Sequence, residues 1–348
     1  MDTTGVGWEA AFVIRRRPLH HAVTGATAAL TFIAAAGCAG DGTSGPTTTT
    51  ALASTVVVDG LDHPTQIADG PLGLLLVAQL AGDENAATGE ILAIDVTAGT
   101  RRVVLDSLDK PTGVLWHDGV LWVMVRRGIV RAPWTGNERT AGPVTVALDG
   151  LPFNGRSEGT LTPLDGDTFL YETTGTLLDG LAAPGSGTLW VFDPADGSSR
   201  AVATGLKNAY GHVVLGDGRI LTTEIGDNVT NAPMEEVDVI DPGTTADLGW
   251  PGCPGDTTCS GVVGPLALFP ASSTPTGIAV IGDDVFVSLF VTGRLLRVPL
   301  EGWATGAPPV APVQIADGLH GPHSLLARDD GTLWISEHLT GQIISVRP

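Results

Sequence analysis

Residues 206–251 hold the densest chemistry of the chain. They read LKNAYGHVVLGDGRILTTEIGDN, then EEVDVIDPG, then DLGWP. A Lys207-Asn208 pair precedes a strand-like run, Glu224-Ile225-Gly226-Asp227 forms a turn, and Glu235, Glu236 and Asp238 sit on an acidic strand. Two carboxylate clusters thus flank a loop rich in backbone oxygens. Hard cations such as calcium take about six to eight oxygen ligands, so this loop predicts a calcium site.

The elements that must position these groups follow from a repeat. A short β-branched strand, a Gly-Leu or Ser-Leu pair and a turn ending in Pro or Asn recur as TVVVDGLDHP, RVVLDSLDKP, VTVALDGLPFN, RAVATGLKN and PVQIADGLHGP, with SSTP as a degenerate sixth copy. An apolar strand follows each copy, centred near Leu75, Trp122, Leu170, Leu221, Phe286 and Trp334, and a third strand closes each unit. Asp-Gly turns such as Asp118-Gly119 and Asp330-Gly331 separate strands. Four short strands per repeat and no helical period predict an all-β, six-bladed β-propeller over 55–348. The stretch 55–61 precedes any blade it could complete. It is expected to close the ring by pairing with the last strand, GQIISVR, which hides an edge at the seam.

In such a ring, the loops leading into the innermost strands and leaving the second strands share one face, the natural ligand face. Register places Gln66, Thr112, Arg156, Glu158, Lys207, Asn208, Tyr210, Thr276 and His323 in the first group. It places Gln79, Arg126, Glu172, Glu224, Leu289 and Glu337 in the second. A polar funnel is the expectation, with capping of strand ends as the structural alternative.

The whole chain carries a formal charge of −20, and nothing in it suggests a basic nucleic-acid face. Lysine occurs only at positions 110 and 207. Residues 1–38 read as a lipoprotein-type signal: Arg15, Arg16 and Arg17, an apolar run, then Ala35-Ala36-Gly37-Cys38, with Cys38 as the lipidated residue. Residues 39–54 form a Gly/Ser/Thr-rich tether. The expected location is the outer face of the bacterial membrane, with the lipid as the sole membrane contact and a monomer or dimer as the assembly. Cys253 and Cys259, the two remaining cysteines, predict a disulfide in an oxidising compartment.

The stretch 206–251 resembles the soluble quinoprotein glucose/sorbosone dehydrogenases, six-bladed propellers that use pyrroloquinoline quinone and calcium. Gly205-Leu206-Lys207-Asn208 is similar to that family's Gly-Leu-(Arg/Lys)-Asn motif, Glu224-Ile225-Gly226 to its Glu-x-Gly turn, and Leu248-Gly249-Trp250-Pro251 to its Tyr-Gly-Trp-Pro corner. The resemblance implies that Lys207 and Asn208 contact the quinone. It implies that Ile225 and Gly226 carbonyls bind the catalytic calcium beside Glu224 and Asp227, and that Glu236 serves a structural calcium. Gln79 and Arg126 are further candidates for holding the cofactor.

The family's catalytic His is replaced. Arg156 stands in its place within Arg156-Ser157-Glu158-Gly159, and an arginine takes no proton at working pH. Glu158, Glu172 or His212 would then supply the base, with His212 the expected titrating group. Two other readings remain: a propeller that binds a carbohydrate without turnover, favoured by Arg156, and a metal-dependent gluconolactonase-like hydrolase using Glu224, Asn208 and Glu337. The expected ligand is a small sugar or lactone.

Overall fold

A computed structural model describes residues 53–348 apart from 156–157, 227–234, 254–258 and 305. The sites proposed at Cys38, Arg156 and Asp227 lie outside the described residues.

The described residues form six main antiparallel sheets, taken up in chain order. Blade one runs from Pro64–Asp69 to Thr100–Leu108, and blade two from Gly113–His117 to Thr145–Leu148. Blade three runs from Thr162–Pro163 to Ser198–Thr204, and blade four from Ala209–Val214 to Ala267–Phe269. Blade five runs from Pro275–Ile281 to Val313–Ala316. Blade six combines Pro322–Ala327, Leu333–Glu337 and Gln342–Val346 with the first strand, Ser54–Val58. That first strand pairs antiparallel with the last, Ser54 opposite Val346, and the Leu61 amide continues the contact with a 2.9 Å bond to the Gly341 carbonyl. The strand ends at Val58, earlier than the sequence suggests, because Gly60 turns the chain in the left-handed region (φ 65°).

Burial explains why the repeat reads as apolar strands. Six hydrophobic clusters sit one at each junction between neighbouring blades. Leu76, Ile91, Leu121 and Trp134 fill the first junction, and Trp122, Met124, Phe169 and Phe192 the second. Leu61, Ile67, Val77 and Ile343 fill the seam. Each sheet is thus covered on both faces, which demands continuous apolar runs, and the apolar cores lie between blades around the axis.

At the axis, hydroxyl groups tie neighbouring blades at five of the six junctions. Thr65 Oγ1 donates to the Pro111 carbonyl, Thr112 Oγ1 to Gly159, Thr160 Oγ1 to Tyr210, Thr276 Oγ1 to Pro322 and Ser336 Oγ to Thr65. Gln66 spans further, accepting from the Val114 and Leu161 amides and donating to the Leu161 carbonyl. Gln66 and Thr112, placed in a ligand funnel by register, are therefore spent on holding the ring together.

The Trp-Pro corner departs from its expected place in blade four. Ala246–Asp247 pairs in parallel with the outer strand of blade three, and Trp250 lies against Gly175. A Cβ there would come within 2.8 Å of the indole. The Cys253–Cys259 disulfide follows this corner.

Candidate active site at the mouth of the ring

Two backbone devices recur where the chain turns into an inner strand. One is a bulge with one extra residue, between Pro64 and Ile67, Ala209 and His212, Pro275 and Ile278, and Pro322 and Ser324. Bulges re-aim side chains; here they present Gln66, Tyr210, Thr276 and His323 at the axis. The other is a left-handed residue just before the strand's proline: His63 (φ 54°), Lys110 (φ 52°), Thr274 (φ 58°) and Gly321 (φ 65°). Glycine takes that conformation freely, whereas a side chain makes it cost of order 1 kcal/mol. His63, Lys110 and Thr274 keep their side chains at that cost.

The ends of the second strands divide into two kinds. Gln79 Oε1 accepts from the Asp62 amide, and its Nε2 donates to Glu90. Glu224 accepts from the Lys207 and Asn208 amides. Glu337 accepts from the His320 amide and the Thr340 hydroxyl. Each caps the loop leading into its own blade, and Gln79 has both ends of its amide engaged in doing so. Arg126 is likewise engaged, its Nε on both oxygens of Asp109 and its Nη2 on the Glu84 carbonyl.

Glu172 is the exception at this register. It is fully buried, and neither carboxyl oxygen has a hydrogen-bond partner of good geometry, although the Gly159 and Ala209 amides lie beside it. Glu158, 1 % exposed, is in the same condition. Gly159 lets the two meet: a Cβ there would come within 2.8 Å of Glu172 Cγ and 2.6 Å of the Tyr210 carbonyl.

Burial pushes the Glu158 carboxyl up to about 9, against the opposing pull of Lys110 and Arg127. Glu172 is raised well above the carboxylate range by burial, then by the charges of Glu158 and Glu224. Glu224 and Asp238 are raised by burial and by repulsion within the set that includes Glu236. Glu224 faces Glu236 directly across its strand pair.

Opposite this acidic wall stands an imidazole wall. Tyr210 Oη lies 3.1 Å from His323 Nε2, and the His323 ring stacks on His338 at 5.3 Å between centroids. His338 meets His63 at 4.9 Å, and Phe290 packs edge-on against both His323 and His338. Burial lowers His323 and His338. Tyr210 stays a neutral phenol because burial and the charges of Glu172, Glu84 and Glu158 oppose its ionisation.

His212 is not the titrating group expected of it. It lies buried between blades three and four, its Nδ1 is 3.2 Å from Thr162 Oγ1, and desolvation lowers it to about 3. Lys207 does lie near Glu224, but its ammonium sits over the Trp250 ring at 5.7 Å. Asn208 is buried beside it with an unpartnered Oδ1.

For calcium, the orphaned oxygens of Asn208, Glu172 and Asp238 supply suitable donor chemistry. No three acidic, His or Cys side chains converge as a ready cage among the described residues, so an ion would depend on backbone oxygens such as those of Ile225 and Gly226. Of the ligands expected for a gluconolactonase-like site, Glu224 lies against Asn208, with 3.2 Å between its Oε2 and the Asn208 amide, while Glu337 caps a loop of blade six.

Lys110 is the part of the site that sequence reasoning missed, whereas His323 lies where register placed it. The signal for Lys110 was present: the chain's two lysines occupy the same place in the repeat.

No family model and no curated protein sequence matches the chain. Solved structures do. An oxidoreductase from Thermus thermophilus carrying the name glucose dehydrogenase superposes with a TM-score of 0.70 at 19 % identity, over 85 % of this chain and 99 % of that one. The quinone-bound aldose sugar dehydrogenase of Streptomyces coelicolor gives 0.68 at 20 %, over 85 % and 98 %. The quinone domain of Coprinopsis cinerea pyranose dehydrogenase gives 0.68 at 17 %, over 85 % and 97 %. A gluconolactonase-named structure aligns less well, at 0.55 and 12 %, over 85 % and 92 %. At these identities the likeness is one of architecture: the chain is a six-bladed propeller with the fold of the soluble quinone-dependent sugar dehydrogenases.

Proposed function

We propose that this propeller oxidises a saccharide at its mouth, in the manner of a sugar dehydrogenase, with the Glu158–Glu172 pair as the proton-handling group. The observation that carries this reading is the pair itself: two buried carboxyls within electrostatic reach of each other, with no hydrogen-bond partner of good geometry although backbone amides lie beside them, near Lys110 and the Tyr210–His323 contact. Two like charges in one desolvated space do not ionise together, so protons leave the pair in separate steps. The singly ionised pair holds one strong base and one donor. The base withdraws the proton of a sugar hydroxyl, the donor hydrogen-bonds an adjacent oxygen, and the neutral Tyr210 phenol orients the ring.

Lys207 and Asn208 would hold a bound quinone, with calcium supported by Glu224 and the Ile225 and Gly226 carbonyls. The quinone would supply a two-electron acceptor for the hydride. The protein is proposed to act outside the cell membrane, anchored through Cys38, on a small neutral or acidic sugar.

The test is reconstitution with pyrroloquinoline quinone and calcium, followed by dye reduction with a panel of aldoses. Activity rising with pH through the lower apparent pKa of the pair, and falling at least a hundredfold in Glu172→Gln, is expected (about 10²–10⁴-fold for a proton-transfer group). Full activity in both Glu158→Gln and Glu172→Gln removes the assignment. A second reading, saccharide binding without turnover, is favoured by Arg156 standing where the family base would be; it predicts sugar binding with no dye reduction. Membrane attachment that persists in Cys38→Ala would refute the anchor.

A further inference from the structure

Lys110 is 2 % exposed, yet its ammonium is paired with Glu84, whose side chain is 56 % exposed. Glu84 reaches it from the loop between Leu75–Gln79 and Gly89–Asp95 of blade one. Arg126 of blade two pins that loop through the Glu84 carbonyl and the Asn85 side chain. Below it, three cations surround one aromatic ring: Lys110, Arg126 and Arg127 lie 6.0, 5.6 and 5.6 Å from the Phe153 centroid. In a chain of formal charge −20 this gathering of positive charge is unusual. It stands at the rim of the proposed active site, since the charges of Lys110 and Arg127 act on Glu158 and that of Lys110 on His323.

The backbone adds an independent argument. Lys110 is held at φ 52°, in a place where blade six uses Gly321. A lysine retained in a conformation that favours glycine marks a side chain with work to do.

We propose that Lys110, Arg126, Arg127 and Phe153 form a carboxylate subsite, that the Glu84 carboxylate occupies it as an internal cap, and that its ligand is an acidic saccharide such as a hexuronate. The apolar ring face stacks on the sugar, the Lys110 ammonium and Arg127 guanidinium take its carboxylate while Arg126 stays on Asp109 and holds the loop, and the exposed Glu84 side chain turns out to solvent. The assignment rests on the reading that the mouth takes a saccharide, but not on turnover.

The test is calorimetric titration and thermal shift of the full protein with D-glucuronate, D-glucose and pyrroloquinoline quinone. Removing the competing cap in Glu84→Gln is expected to tighten glucuronate binding about tenfold, as for a site free about one tenth of the time, and to leave glucose unchanged. Lys110→Gly is expected to lose glucuronate binding while keeping or raising the melting temperature, because glycine relieves the left-handed backbone. Lys110→Met serves as a second variant if Lys110→Gly folds poorly. Unchanged glucuronate affinity in Glu84→Gln, or retained affinity in either Lys110 variant, overturns the subsite. The quinone is the other source of carboxylates; a response of the quinone alone to these substitutions overturns the saccharide assignment. Glucuronate binding in this pattern without dye reduction sustains the subsite and removes the dehydrogenase reading.

Discussion

The two walls of the mouth handle buried polarity in opposite ways. On blades three and four, Glu158, Glu172, Glu224 and Asp238 are desolvated together, and burial drives all of them toward the protonated form, aided by mutual repulsion at Glu172, Glu224 and Asp238. On blade six, His323 and His338 are desolvated beside Phe290 and driven toward the unprotonated form. Both walls thus become neutral, one by gaining protons and the other by losing them. Lys110 with Glu84 supplies the charged pair between them. The lesson is that the low dielectric of the mouth sets protonation more strongly than residue type does.

The sharpest way to break this comparison is a pH series. Carboxyls raised in the folded state bind more protons there than in the unfolded chain. Their stabilisation is complete below about pH 4.5 and is lost as pH rises toward the folded value of about 9 for Glu158. The lowered histidines oppose this slope below about pH 6.5, where the unfolded chain binds protons that the folded rings refuse, and add none above it. The melting temperature is expected to fall by on the order of 10 °C from about pH 7 to pH 9 without added metal; a flat profile would mean the acidic wall is not protonated. Next, the double substitution Glu158→Gln with Glu172→Gln should flatten that profile and raise stability at pH 8, read by thermal melts, because the amides keep the shape without the charge. Calcium at pH 8 should raise the wild-type melting temperature by several degrees and have little effect at pH 5, as protons and cation compete for the same oxygens (mass action, about 2.7 kcal/mol at a hundredfold excess over Kd).

The imidazole wall calls for smaller effects. Tyr210→Phe strips the phenol from His323 Nε2 while Nδ1 is already unpartnered, costing about 1–2 kcal/mol in denaturant titration. His63→Gly, at φ 54°, should leave stability unchanged or gain about 0.5 kcal/mol.

The ring of blades was legible because each sheet is buried on both faces, so every copy of the repeat had to write its strands in apolar letters. The seam strand was legible for another reason, because TVVVDGL precedes any blade it could complete and had no partner nearby. The site was legible only by position. Gln79, Glu172, Glu224 and Glu337 fall at one register, yet three of them cap a neighbouring loop and one does not. That difference depends on how each side chain is aimed at the amides beside it, which no residue pattern reports. The Tyr210–His323 contact joins positions 113 apart in sequence, and the crossing of Trp250 to blade three depends on a two-residue parallel pairing. His212 misled because an imidazole in an inner strand suggests a base, whereas its depth fixes it as neutral.

The pairing of Ser54–Val58 with Gln342–Val346 has a consequence for how the protein is made. The earliest described strand has nowhere to dock until nearly the whole chain has left the ribosome. Until then blade six lacks its outer strand, and the circle stays open like an unfastened clasp. Contacts this distant in sequence make folding slow, and the unfinished blade offers a bare edge to other chains meanwhile. Joining the chain's ends and cutting instead at the Asp118-Gly119 turn would move that vulnerable gap to blade two while leaving every sheet pairing intact.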